Sequence, residues 1–173
     1  MPKYVSASLE EKAKTLTPFT GKSGFYASCP PSSESIKSII GLMSNLMDVP
    51  GLEFSDTDEL HCTTIYSPEA IPRHIIPSMN LIDTWILGAD VFGDSALVLT
   101  LYKSKQLSDR FNRWVSFGAV PTYPDYKPHI TIAKLQEGFD GKEEVLAGLN
   151  ALLELYPIPI VLGGETIEDV NPD

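Results

Sequence analysis

Leu60-His61-Cys62-Thr63-Thr64-Ile65-Tyr66 and His129-Ile130-Thr131-Ile132-Ala133-Lys134-Leu135 are the two stretches on which the reading of this chain turns. In an extended strand, successive side chains point to opposite faces. Leu60, Cys62, Thr64 and Tyr66 therefore share one face, and His61, Thr63 and Ile65 share the other. In the second stretch His129, Thr131 and Ala133 share a face, with Ile130, Ile132 and Lys134 opposite. Each stretch is thus a strand that opens with histidine and repeats one pattern, His-x-Thr. That pattern sets an imidazole and a hydroxyl on one face, about 6.5 Å apart along the chain.

The segments around these strands have a regular order. Ser23 to Ser28 reads as a short strand ended by Pro30-Pro31. Ser32 or Ser33 caps a helix whose apolar positions Ile36, Ile39, Ile40, Met43, Leu46 and Met47 fall on one face, and Val49-Pro50-Gly51 stops it. An acidic loop then leads to His61. After a proline-rich connection, Thr84 to Val91 and Ser95 to Tyr102 read as strands around a Phe92-Gly93-Asp94 turn. Leu107, Phe111, Trp114 and Val115 mark a helix closed by Gly118, and the loop Pro121 to Pro128 delivers the chain to His129. A helix carrying Val145, Leu149 and Leu153, then strands at Ile158 to Leu162 and Thr166 to Val170, complete the chain.

The halves resemble each other in order: strand, helix, loop, strand opening with histidine. Ser23 precedes His61 by 38 positions and Ser95 precedes His129 by 34. Two such units back to back predict an α+β domain with a sheet in each lobe and a central cleft faced by both histidines. At 173 residues and 43% hydrophobic composition, the chain suits one domain over residues 1–173.

Composition narrows the chemistry. Cys29 and Cys62 are the two cysteines, at no zinc-ligand spacing, and are expected to be reduced, packed thiols. With only three histidines and no cysteine or carboxylate cluster, no catalytic metal or other cofactor is expected. No apolar run approaches the roughly 20 residues that span a bilayer, and the amino terminus lacks a signal-peptide core, so a cytoplasmic location is expected. The net charge of −10 disfavours long nucleic acids. Leu101 to Lys134, however, holds six cations (Lys103, Lys105, Arg110, Arg113, Lys127, Lys134) against Asp109 and Asp125, a balance that suits a small anionic ligand.

An imidazole beside a hydroxyl, supplied twice, is a set of groups able to transfer a phosphodiester without a metal. One histidine takes the nucleophile's proton, the other protonates the leaving oxygen, and the hydroxyls donate to the phosphoryl oxygens. Histidine suits both roles because its ordinary pKa near 6.5 populates both forms near neutrality. His74, in Pro72-Arg73-His74, carries no such pattern and reads as structural.

The doubled His-x-Thr resembles the 2H phosphoesterase superfamily, which includes LigT-type RNA 2',3'-cyclic phosphodiesterases. More narrowly, Leu60 to Ser67 and Tyr126-Lys127-Pro128-His129-Ile130-Thr131-Ile132 resemble the motifs of phage anti-CBASS enzymes, which degrade cyclic oligonucleotide signals of bacterial immunity. The resemblance runs from about Ser23 onward, and residues 1–20 have no counterpart in it. It implies a bilobal LigT-like fold, catalytic His61 and His129, phosphate-binding Thr63 and Thr131, and a place in the host cytoplasm if the source is viral. It further implies Tyr26 as a base-stacking ring and Glu165 as a base-contacting carboxylate; Lys127, within the second motif, is expected to bind substrate. Thr64 departs from the superfamily, which has an apolar residue after the motif threonine. The implied activity is hydrolysis of 3'-5' bonds in cyclic di- or trinucleotides; opening of 2',3'-cyclic phosphates on RNA ends, a cyclic-nucleotide sponge and a non-catalytic adaptor are the alternatives.

Overall fold

A computed structural model describes residues 24–71, 75–123 and 125–170. The expectations for residues 1–20 and His74 lie outside them. In chain order the elements are β1 (Phe25–Cys29), α1 (Ser33–Ser44), β2 (Leu52–Phe54), β3 (Cys62–Ser67), β4 (Ile82–Phe92), β5 (Ala96–Leu101), α2 (Lys105–Ser116), β6 (His129–Leu135), α3 (Lys142–Leu155), β7 (Pro159–Leu162) and β8 (Thr166–Asp169).

The domain is α+β, but the sheet differs from the expected pair. One eight-stranded antiparallel sheet runs β7-β4-β5-β6-β3-β1-β8, with β2 paired to β6. β3, which begins one residue after His61, and β6, which begins at His129, are neighbours in its middle, so one sheet stands where a pair was expected. β7 and β8 follow one another in the chain yet stand at opposite ends of this order. Backbone bonds from Gly163 N to Pro30 O (2.7 Å) and Ser32 N to Val161 O (2.8 Å) bring β7 against the chain leaving β1, so the sheet curls toward closure.

Local structure repeats between the halves. Ser32 and Ser104 cap α1 and α2 with nearly identical backbone angles (φ −64°, ψ 164° and φ −64°, ψ 163°), each hydroxyl accepting from the N–H three residues on. Such a bond satisfies one of the orphan donors at a helix start. β2 was not foreseen: three residues are too few to show alternation, and Leu52 to Phe54 take up strand geometry only by pairing with Ala133 to Leu135 on β6.

Two buried clusters hold these layers together. The larger packs Ile39 and Leu42 of α1 and Leu149 of α3 on Leu97, Leu99, Ile130 and Ile132 of the sheet. The smaller joins Phe25, Ile65 and Trp114, with the Phe25 and Trp114 rings 5.4 Å apart. Between β4 and β5, the three residues Gly93 (φ 59°), Asp94 (φ 65°) and Ser95 form a tight hairpin turn, the first two in the left-handed conformation. That turn brings Phe92 to the histidine strand.

Candidate functional site

The site is built where β3 meets β6. These strands pair through Cys62 opposite Ile130, and both side chains are wholly buried on the core side. Alternation sends their neighbours to the other face. Continuing the antiparallel register sets His61 across from Thr131 and Thr63 across from His129. Directly opposed residues stand about 4.5–5.5 Å apart and diagonal ones about 7–8 Å. On that register, with His61 one residue before β3, the two histidines stand on one diagonal and the two threonines on the other. His61 is exposed, and Thr63, His129 and Thr131 are partly buried.

Both rings are held in the same way. His61 Nδ1 lies 2.7 Å from the Glu59 carbonyl, and His129 Nδ1 lies 2.8 Å from the Lys127 carbonyl, in each case two residues upstream. A carbonyl only accepts, so Nδ1 carries the proton and Nε2 is the nitrogen left to react. Phe92 packs edge-on against His129, with ring centroids 4.7 Å apart.

A pocket of about 800 Å³ opens beside these residues. Thr63, His129 and Lys127 line it, together with the aromatic rings of Tyr66, Phe92, Tyr123 and Tyr126 and the carboxylates of Asp90 and Asp125. His61 and Thr131 are not among its lining residues. Tyr26 stands on β1 opposite Tyr66 and Glu168, and its phenol donates to the Glu168 carboxylate. That bond raises the phenol's pKa above its ordinary value.

Glu165 is placed elsewhere than expected. It is wholly buried and its carboxylate accepts from Thr64 Oγ1 (2.8 Å), Trp114 Nε1 (2.9 Å) and Ser78 N (3.2 Å). Arg110 and Arg113 stand 3.6 and 3.8 Å away. With no surface to offer, it is a framework carboxylate and not a base contact. It also accounts for the departure at Thr64: a hydroxyl replaces the apolar residue because it faces this buried carboxylate. The cationic stretch is correspondingly not one surface. Arg110 and Arg113 turn to Glu165, Lys105 pairs with Asp109 (2.6 Å), and Lys103 lies 3.5 Å from Asp125. Lys127 is the cation of that stretch that lines the pocket. The site residues missed in the sequence are Phe92, Tyr66 and Tyr126; Tyr126 lies within the second motif, three residues before His129.

Among the described residues, no group of three or more histidine, cysteine or acidic side chains is arranged to hold a metal. Burial pushes the Cys62 thiol up to about 11 and the Cys29 thiol up to about 12. The folded protein thus keeps protons that the unfolded chain releases near pH 8.5, and stability falls as pH rises. Between about pH 9 and 11 each thiol is expected to contribute a loss of up to about 1.4 kcal/mol per pH unit. Urea unfolding at pH 8 and pH 10 checks this: Cys62→Ala should lose less stability over that interval than the unaltered protein, and an equal loss refutes it.

Residues 23–173 match the model of a family described as Anti-CBASS protein Acb1. The chain is similar to the anti-CBASS protein Acb1 of Escherichia phage RB16, with 27% identity over 122 residues that cover 67% of this chain and 64% of that protein. The match thus spans just under two thirds of that relative's length. Among solved structures, TT0787 of Thermus thermophilus superposes with a TM-score of 0.52 at 11% identity over 83% of each chain, a likeness of fold.

Proposed function

The chain belongs to the anti-CBASS protein Acb1 family, and from that footing we propose that it is a metal-independent phosphodiesterase of 2H type that opens 3'-5' bonds in cyclic di- or trinucleotides. The observation that carries the reading is the matched pair of imidazoles, each held at Nδ1 by the carbonyl two residues upstream, beside strands that meet at Cys62 and Ile130. One neutral Nε2 takes the proton of a ribose 2'-hydroxyl, whose oxygen attacks phosphorus. The P–O5' bond breaks as the other, protonated Nε2 donates to the departing oxygen, leaving a 2',3'-cyclic phosphate end. Thr63 and Thr131 donate to the non-bridging oxygens, where charge accumulates. Lys127 adds a positive charge at the pocket, and Tyr26, across the strand pair from the pocket residue Tyr66, offers a ring to a base.

Pocket size and charge support a compact ligand over a polymer. A volume of about 800 Å³ suits a molecule of di- or trinucleotide scale, and the net charge of −10 repels an extended polyanion. No described helix is long and apolar enough to cross a membrane.

A substrate panel tests the reading. Cyclic di- and trinucleotides are expected to be linearised, and analogues lacking the 2'-hydroxyl at the cleaved linkage to bind without being cut. Cleavage of the deoxy analogue at a comparable rate refutes attack by the sugar hydroxyl. Turnover of 2',3'-cyclic-phosphate RNA ends alone, with cyclic oligonucleotides untouched, removes the substrate assignment.

A further inference from the structure

The weakest seam in the middle of the sheet runs through the site. β1 and β3 pair over five residues, and so do β5 and β6, whereas β3 and β6 pair over the single position Cys62 opposite Ile130. Yet the chemistry proposed above needs the motif of one strand held against the motif of the other. A second tie crosses this seam outside the ladder. Tyr126 reaches back from the loop before β6, and its phenol donates to the Thr63 carbonyl at 2.8 Å. Its ring stacks on Phe111 of α2, with centroids 4.8 Å apart and planes 6° from parallel. Cys62 Sγ lies 3.7 Å from the same phenol oxygen. The next residue, Lys127, supplies the carbonyl that holds the His129 ring, and Pro128 O accepts from Leu101 N at 2.9 Å, fastening the loop to β5.

We propose that Tyr126 is a positioning residue that clamps the His61-Cys62-Thr63 motif in register with His129, through the bond from its phenol to the Thr63 carbonyl. The inference rests on the two-histidine reading given under the proposed function. Thr63 stands one residue past the paired Cys62, and its carbonyl accepts from the Tyr126 phenol, with Cys62 Sγ 3.8 Å from the same oxygen. The rigid stack on Phe111 leaves the phenol little freedom, and one backbone path links its oxygen to the imidazole of His129. Burial raises the phenol's pKa well above the ordinary value near 10, so it stays a proton donor over the working range of the enzyme.

Tyr126→Phe tests the clamp, because it keeps the ring and its stacking and deletes only the donor. Misplacement of reacting groups by about 1 Å costs up to about 100-fold, so kcat on a cyclic dinucleotide is expected to fall about 10- to 100-fold, with KM changed less than about threefold. The same substitution introduced into His129→Ala should cost less than about threefold more, because the alignment it upsets is no longer used. Ser35→Ala is the matched control: it deletes a buried hydroxyl that accepts from Val161 N at 2.8 Å, remote from the site, and should leave kcat within about twofold. Amide hydrogen exchange supplies a readout independent of turnover. Tyr126→Phe should speed exchange at Thr63 and Ile130 while leaving the β1–β8 pair unchanged. A folded Tyr126→Phe protein with unaltered kcat, or with the same fold-loss on the His129→Ala background, overturns the proposal. If the unaltered protein turns over no cyclic oligonucleotide, the phosphodiesterase reading fails by itself. The clamp then stands or falls on exchange at the seam alone.

Discussion

His61→Ala and His129→Ala are each expected to lower turnover about 100- to 10,000-fold with substrate affinity nearly unchanged, because each removes one proton-transfer group from a concerted step. Single-turnover rates measured beside equilibrium binding separate the two quantities. The double variant should lose less than the product of the single losses, since once either transfer is gone the other has little left to assist. Thr63→Ala and Thr131→Ala should cost about 10- to 1,000-fold, each deleting one hydrogen bond to the phosphoryl oxygens. If both single variants fold and keep full rates, the proton-transfer pair lies elsewhere and the proposed mechanism falls.

Glu165→Ala is expected to be the most destabilising single change considered, by about 3–5 kcal/mol, because it strands the buried guanidinium of Arg110 inside the protein. Arg110 is only 6% exposed and faces the carboxylate at 3.6 Å. The same change orphans the donors of Trp114 Nε1 and Thr64 Oγ1. Urea unfolding followed by circular dichroism at neutral pH measures the loss. A change below about 1 kcal/mol would show that water or a neighbouring acceptor replaces the carboxylate, and the framework role assigned to Glu165 would be withdrawn. The two predictions separate cleanly, since the histidine variants should unfold at nearly unaltered urea concentrations while Glu165→Ala should not.

Much of the secondary structure and of the candidate site was legible in the sequence because both depend on short-range order. The alternation in His129 to Leu135 yielded β6 with its observed bounds, and Ser32 marked the start of α1. Glu165 was misread for the opposite reason. A carboxylate in a loop between two strands looks solvent-facing until Arg110 and Trp114, more than 50 residues away in the chain, are folded onto it. Phe92 and Tyr126 were passed over likewise, since nothing local distinguishes an aromatic that meets a site histidine from one that fills a core.

The sequence by itself determined β6 with His129 and Thr131 at alternate positions, because alternation along a strand is a property of the backbone; His61 falls one residue before β3, and Tyr66, expected on the face of Cys62, is exposed instead. The sequence also determined the family resemblance, since the two motifs lie on the chain as written. Tertiary structure alone decided that these strands are neighbours in one curled sheet and that Cys62 meets Ile130. That register places His61 diagonal to His129, because pairing between strands is set by the packing of side chains distant in sequence, which no window of the chain contains.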